Sequence, residues 1–226
     1  MARFYSMKKK DEDDEHTADP FGVLSQSLQK KVKERQKPNV NIHDMAKVYE
    51  FLADGFEEIE ALGPVDVLRR GGVEVKTVSI GSSLMVASAH GVEVKADMLF
   101  GDADLGDADM LLIPGGMPGA KNIDEHEGVR KALLAQAAAG KLVGAICAGP
   151  MVLGHLGLLQ GKRATCYPGF EQELHGAHYT AEPFTVDGNI VTGKGPGATL
   201  PYAYKILELF KGERVVSELK QGMMYE

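Results

Sequence analysis

The sequence predicts an α/β protein in which a mainly parallel sheet lies between two layers of helices. Three observations lead there. Met110-Leu111-Leu112-Ile113 and Leu142-Val143-Gly144-Ala145-Ile146 are apolar throughout, so strands made from them need cover on both faces. Such runs are separated by helical patterns of about 10–15 residues, the spacing of strand–helix–strand units. Three chemically loaded loops follow predicted strands, where open parallel sheets place their binding crevice.

In chain order, Lys47–Leu52 reads as the first strand. A helix follows from Ile59 to Arg70, with Ile59, Leu62, Val65, Val67 and Leu68 as its apolar positions and Gly71-Gly72 as its stop. Val73–Val78 alternates cleanly as a second strand. A polar hairpin region from Gly81 to about Phe100 carries candidate strands at Val86–Ser88 and Val92–Val94. Met110–Ile113 is a buried strand, Val129–Ala139 a helix, Lys141–Ile146 the next buried strand and Ala148–Leu158 the helix after it. Asp187-Gly188-Asn189 between Phe184–Val186 and Ile190–Thr192 is a hairpin signal. Helices over Ala198–Phe210 and Glu213–Lys220 close the chain.

The chain has 226 residues, 44% of them hydrophobic, which suits one domain with an appendage. Residues 1–44 carry blocks of both charges and little apolar surface, netting +1 and leaving −8 on the remainder. They are expected to form a disordered arm ahead of a domain at 45–226. A basic patch that recruits a partner, or a natural start at Met45, are the alternatives. The net charge of −7 argues against nucleic acid and anionic membranes as partners. Two cysteines make no disulfide framework, and no apolar run reaches the roughly 20 residues of a membrane span or forms a signal-peptide core. A cytoplasmic chain is expected.

Cys147 is the most informative residue. It ends the apolar run Leu142–Ile146 and precedes a helical pattern, so the turn lifts its side chain out of the sheet beside unpaired helix N–H groups. Those groups and the helix dipole favour a thiolate. Cysteine also serves as a small buried hydrophobe. The small residues Gly144, Ala145, Ala148 and Gly149 around it favour a nucleophile instead.

Three acids open the first helix. Glu57 and Glu58 are accounted for by the helix dipole. Glu60, between Ile59 and Leu62, is expected to turn inward, where a carboxyl needs a partner or a proton. Facing Cys147, it would hydrogen-bond the thiolate and move a proton to substrate. Gly115 and Gly116 end the Met110 strand, and the N–H groups of Gly116 and Ala148 are candidate oxyanion donors. Gly193-Lys194-Gly195-Pro196-Gly197 lacks a nucleotide-loop spacing and reads as a turn capping the last long helix.

Secondary candidates are His90, Tyr167 and Cys166. His90 lies in the insertion after the second strand, from which it could reach a partner subunit. Cys166 is either buried filler or a second oxidisable thiol. His90, His155, His175 and His178 show no HExxH or comparable ligand pair, and no metal is expected.

Asp54–Glu60, Pro64–Arg70, Leu112–Gly116, Ala145–Pro150 and Gly195–Gly197 together resemble the ThiJ/PfpI superfamily, and more closely its branch of Parkinson-disease-associated deglycases and their bacterial relatives. The resemblance spans Met45 to about Lys220. It implies a flavodoxin-like three-layer α/β/α sandwich, a homodimer and no cofactor. It implies Cys147 as nucleophile, Glu60 as the adjacent acid, and Gly116 with Ala148 as oxyanion donors. The implied activity is that of a glyoxalase- or deglycase-type hydro-lyase or hydrolase acting on methylglyoxal, glyoxal or their glycated adducts. The alternative is a redox-sensing stress protein that uses the same cysteine. Two positions depart from the pattern. Ala148 stands where the protease-like branch has a His, which removes a Cys-His dyad. Tyr167 stands where the human-type branch has a His.

Overall fold

The structure, a computed structural model, describes residues 46–225; the expectation for the arm lies outside them. A seven-stranded sheet runs in the order β10-β11-β7-β6-β1-β2-β5. Its strands are β1 (Lys47–Leu52), β2 (Glu74–Ser79), β5 (Met98–Leu99), β6 (Met110–Ile113), β7 (Leu142–Ile146), β10 (Phe184–Asp187) and β11 (Ile190–Gly193). Every neighbouring pair is parallel except β10–β11, the hairpin expected around Gly188. The insertion after β2 pairs β3 (Met85–Ala87) with β4 (Glu93–Lys95) antiparallel. A separate two-stranded ribbon joins β8 (Arg163–Ala164) and β9 (His178–Tyr179).

The apolar character of β6 follows from its place in the middle of the sheet. Met110 and Leu112 enter the core beneath α1 (Glu58–Arg70), α5 (Thr199–Lys211) and α6 (Glu213–Gly222), together with Val48, Tyr202 and Leu207. Leu111 and Ile113 enter the opposite core with Phe51, Val143 and Leu153. That second core is roofed by α2 (Gly119–Glu125), α3 (Glu127–Ala138) and α4 (Pro150–His155), which contribute Ile123, Leu133 and Val152. Three layers result, as expected.

Helix α1 begins where the Glu57 carboxylate accepts the Glu60 N–H at 2.7 Å, a side-chain cap on the first turn. It ends with Arg69 and Arg70 in its last turn and Gly71-Gly72 beyond. Two glycines let α5 approach it closely. A Cβ on Gly63 would sit 2.5 Å from Thr199 Cγ2, and one on Gly71 would sit 2.3 Å from Leu207 Cδ1.

Several expectations are corrected. Ile59 and Leu62 do not face the core but are 56% and 37% exposed; the inward face is Glu60, Ala61, Pro64, Val65, Val67 and Leu68. The helix after Cys147 covers only Pro150–His155, because Gly157 turns left-handed at φ 72° soon after. Helix α2, the short strand β5 and the β8–β9 ribbon were not expected; each is too short to show a period. Among the described residues no helix is long and apolar enough to cross a membrane.

Candidate active site

The carboxyl ends of β1, β6, β7 and β11 converge on Cys147. Strand β7 stops at Ile146, and Cys147 then adopts φ 62°, a left-handed conformation that costs a side-chain-bearing residue about 1–3 kcal/mol. Two backbone hydrogen bonds hold it there. Its N–H donates to the Gly193 carbonyl at 2.9 Å, and its carbonyl accepts from the Tyr167 N–H at 2.9 Å. The strained turn aims the thiol at the crevice floor, where the residue is 8% exposed.

Glu60 reaches the same point from α1 and is fully buried. Its Oε2 accepts the Gly115 N–H at 3.0 Å, and its carboxyl hydrogen-bonds the Cys147 thiol. Gly115 is compulsory in this arrangement. A Cβ there would lie 2.4 Å from Glu60 Oε2 and 2.5 Å from Cys147 Cβ. Gly116 follows at φ 86°, and a Cβ on it would strike the Glu57 nitrogen at 2.3 Å. The N–H groups of Gly116 and Ala148 both point at the Cys147 sulfur. The glycine pair therefore divides its work: the Gly115 N–H is occupied by Glu60, and the Gly116 N–H, with that of Ala148, faces the sulfur.

Desolvation pushes the Glu60 carboxyl up to about 7, against the opposing hydrogen bonds from Cys147 and Gly115. Burial also pushes the Cys147 thiol up, reinforced by the Glu60 charge, while the Gly116 and Ala148 N–H groups pull it down. A thiolate beside an ionised Glu60 is thus disfavoured, and the pair is best described as sharing one proton.

Tyr167 stands at the rim, 46% exposed, with its ring against Gly195. With Pro168, Pro183, Lys194 and Pro196 it lines an apolar cleft of about 380 Å³. The sequence signal for this wall was present: Gly193–Gly197 follows β11 at its carboxyl end. The turn reading of that segment leaves out two roles it carries: the Gly193 carbonyl anchors Cys147, and Lys194 forms part of the cleft wall. Cys166 is fully buried, its thiol pushed up to about 12 by burial, which favours the filler role. His90 is exposed and pairs with Glu58 of its own chain at 3.0 Å. Among the described residues two groups bring three potential metal ligands together, Glu57-Glu58-His90 and His155-Glu173-His175, and neither includes Cys147 or Glu60.

A doubly covered parallel sheet with a left-handed cysteine between strand and helix defines a class of α/β proteins built around one reactive thiol. The chain belongs to the DJ-1/PfpI family, whose model matches residues 46–209. It is 36% identical over 177 residues to the Parkinson disease protein 7 homolog of Danio rerio, covering 76% of this chain and 94% of that one. It is 34% identical over 166 residues to the glutathione-independent glyoxalase DJR-1.2 of Caenorhabditis elegans, covering 72% and 87%. Protein DJ-1 homolog B of Arabidopsis thaliana is 36% identical over 174 residues, covering 76% of this chain; the chain spans only 40% of that relative and 45% of the Arabidopsis homolog A. Oxidized Toxoplasma gondii DJ-1 superposes with a TM-score of 0.77 at 35% identity, covering 80% of this chain and 98% of that one. The fold is the flavodoxin-like α/β sandwich of that family.

Proposed function

We propose that the protein is a cofactor-independent glyoxalase of the reactive-carbonyl class, with Cys147 as nucleophile and Glu60 as acid and base. The observation that carries this is the Glu60–Cys147 hydrogen bond beneath two N–H groups aimed at the sulfur. The glyoxalase name of the C. elegans relative supports it.

In this scheme the Cys147 sulfur attacks the aldehyde carbon of methylglyoxal, forming a C–S bond. The developing oxyanion takes the proton held between Cys147 and Glu60, with the Gly116 and Ala148 N–H groups as donors. Ionised Glu60 then removes the former aldehyde hydrogen and returns it to the neighbouring carbon, while the hydroxyl proton passes from the former aldehyde oxygen to the former ketone oxygen, converting the hemithioacetal into a thioester of lactate. Water cleaves the thioester, releasing lactate and the thiol, so methylglyoxal plus water becomes lactate. A carboxyl that titrates near 7 serves both as donor and as acceptor at neutral pH. The apolar cleft beside Tyr167 and Lys194 suits a small carbonyl compound or the side chain of a glycated adduct. We also read the exposed Ile59 and Leu62 of α1 as part of a homodimer face.

The test is to incubate the purified protein with methylglyoxal and assay lactate. Thiol-dependent lactate formation is expected; consumption of the aldehyde without lactate would overturn the rearrangement. One observation also favours the redox-sensor reading: a carboxyl and two N–H groups around one sulfur would equally hold a sulfinate. Peroxide treatment should then yield that species at Cys147 by mass spectrometry.

A further inference from the structure

Helix α4 ends at His155 on the face opposite α1, and three elements meet around its imidazole. Gly154 makes the meeting feasible. It has no side chain, and a Cβ there would lie 2.0 Å from the Glu173 carbonyl oxygen, so the 171–175 segment runs directly against the helix. This brings Glu173 and His175 to His155. His155 Nε2 lies 2.8 Å from Glu173 Oε2, and the two imidazole rings are 5.2 Å apart between centroids. A ligand atom from each of His155, Glu173 and His175 falls within 4.8 Å of the others.

The remaining ring nitrogen of His155 is also accounted for. Its Nδ1 lies 2.7 Å from Asp124 Oδ2 of α2, and Asp124 is itself held by Arg130 of α3. Without an ion, Nε2 carries a hydrogen and donates it to the Glu173 carboxylate as Nδ1 donates to Asp124. A metal takes the place of the Nε2 hydrogen, while Asp124 keeps the Nδ1–H and holds the ring toward Glu173 and His175. That is how metal-ligating histidines are oriented by their outer neighbours. Two imidazoles and a carboxylate suit zinc and the neighbouring first-row divalent ions.

We propose that His155, Glu173 and His175 form a site for a zinc-type divalent ion, with Asp124 as the positioning residue and a fourth coordination position open to solvent. Metal–nitrogen distances of about 2.0–2.1 Å put tetrahedral donors about 3.3 Å apart, so assembly takes a small inward movement of the exposed His175 ring. The bound ion ties the end of α4, whose preceding turn carries Cys147, to the segment that follows Tyr167. It lies outside the thiol site and takes no part in the carbonyl chemistry.

The experiment uses the full chain carrying Cys147→Ser, so that ions held by that thiol do not contribute. Calorimetric titration with Zn²⁺ is expected to show one ion per chain. His175→Gln and Glu173→Gln should each weaken it at least tenfold, Asp124→Asn about 10–100-fold, and His90→Gln not at all. Co²⁺ should give the visible bands of a low-coordinate ion in the Cys147→Ser protein and none after His175→Gln. Because His175 is exposed, that variant should melt in chelator like its parent, which separates lost binding from lost folding. Zn²⁺ affinity unchanged in His175→Gln, or no stoichiometric Zn²⁺ binding in the parent, would overturn the site.

Discussion

Glu60 Oε2 accepts the Gly115 N–H at 3.0 Å, and this bond sets the depth of the carboxyl against Cys147. An acid from the first helix is thereby fixed to the turn after β6, one strand away from the strand that carries the thiol. The lost side chain of Gly115 is the space in which the two groups meet.

Cys147→Ser should reduce lactate formation to background while the protein still folds. Cys166→Ser places a hydroxyl among apolar neighbours, so it should cost about 1–3 kcal/mol of stability yet leave turnover within a few-fold. Equal loss of activity in the two variants, measured as kcat/KM on methylglyoxal, would remove Cys147 from the nucleophile role.

Glu60→Gln keeps a hydrogen-bonding amide but cannot move a proton, so turnover should fall about 10²–10⁴-fold. Its thiol should still react with iodoacetamide. Glu60→Leu removes the donor as well and should shift the alkylation profile to higher pH. Methylglyoxal turnover at the parental rate in both variants would reduce Glu60 to a buried structural acid.

The same carboxyl makes stability depend on pH. Glu60 titrates near 7 when folded, against 4.5 for the ordinary side chain. Between those values the folded state binds more protons than the unfolded one, so stability falls as pH rises through that window. The loss is complete above pH 7 and on the order of 3 kcal/mol, from 1.36 kcal/mol per pKa unit. Urea denaturation at pH 5 and pH 8 should show Glu60→Gln gaining on the parent at the higher pH. Parallel profiles would contradict the raised carboxyl.

Gly115→Ala drives a methyl group into Glu60 and Cys147 without backbone strain of its own. A displacement of about 1 Å at reacting groups can cost about 10²-fold, and a kcat/KM loss of that size is expected. Activity within two-fold of the parent would show that the pair tolerates being moved.

Glu50 in β1 is 1% exposed, its Oε2 has no partner among the described residues, and burial holds its carboxyl well above the usual range. It lies in register with Leu112 and, one strand further, Gly144, on the face roofed by α1 and α5. Glu50→Leu removes the unsatisfied group and should raise stability by about 1–3 kcal/mol, read as a higher urea midpoint at pH 8. A lower midpoint would mean that Glu50 has a stabilising partner.

Order along the chain, strand-to-helix alternation and the place of Cys147 at a strand end were legible because apolar runs and small residues are local signals. That determined the layered fold, the thiol and the glycine turn after β6. The inward turn of Glu60 was legible too, though for the wrong neighbours: Ile59 and Leu62 turn outward, and Glu60 turns in beside Ala61. A helix phase depends on which stripe the rest of the molecule covers, and α1 is covered by α5, where Gly71 meets Leu207, 136 positions further along the chain. Tertiary structure alone decided that the Gly115 N–H serves Glu60, that the Gly193 carbonyl holds the Cys147 N–H, and that His155, Glu173 and His175 gather around a side-chain-free Gly154. Those relations join residues far apart in sequence through backbone contacts, which leave no periodic or compositional trace.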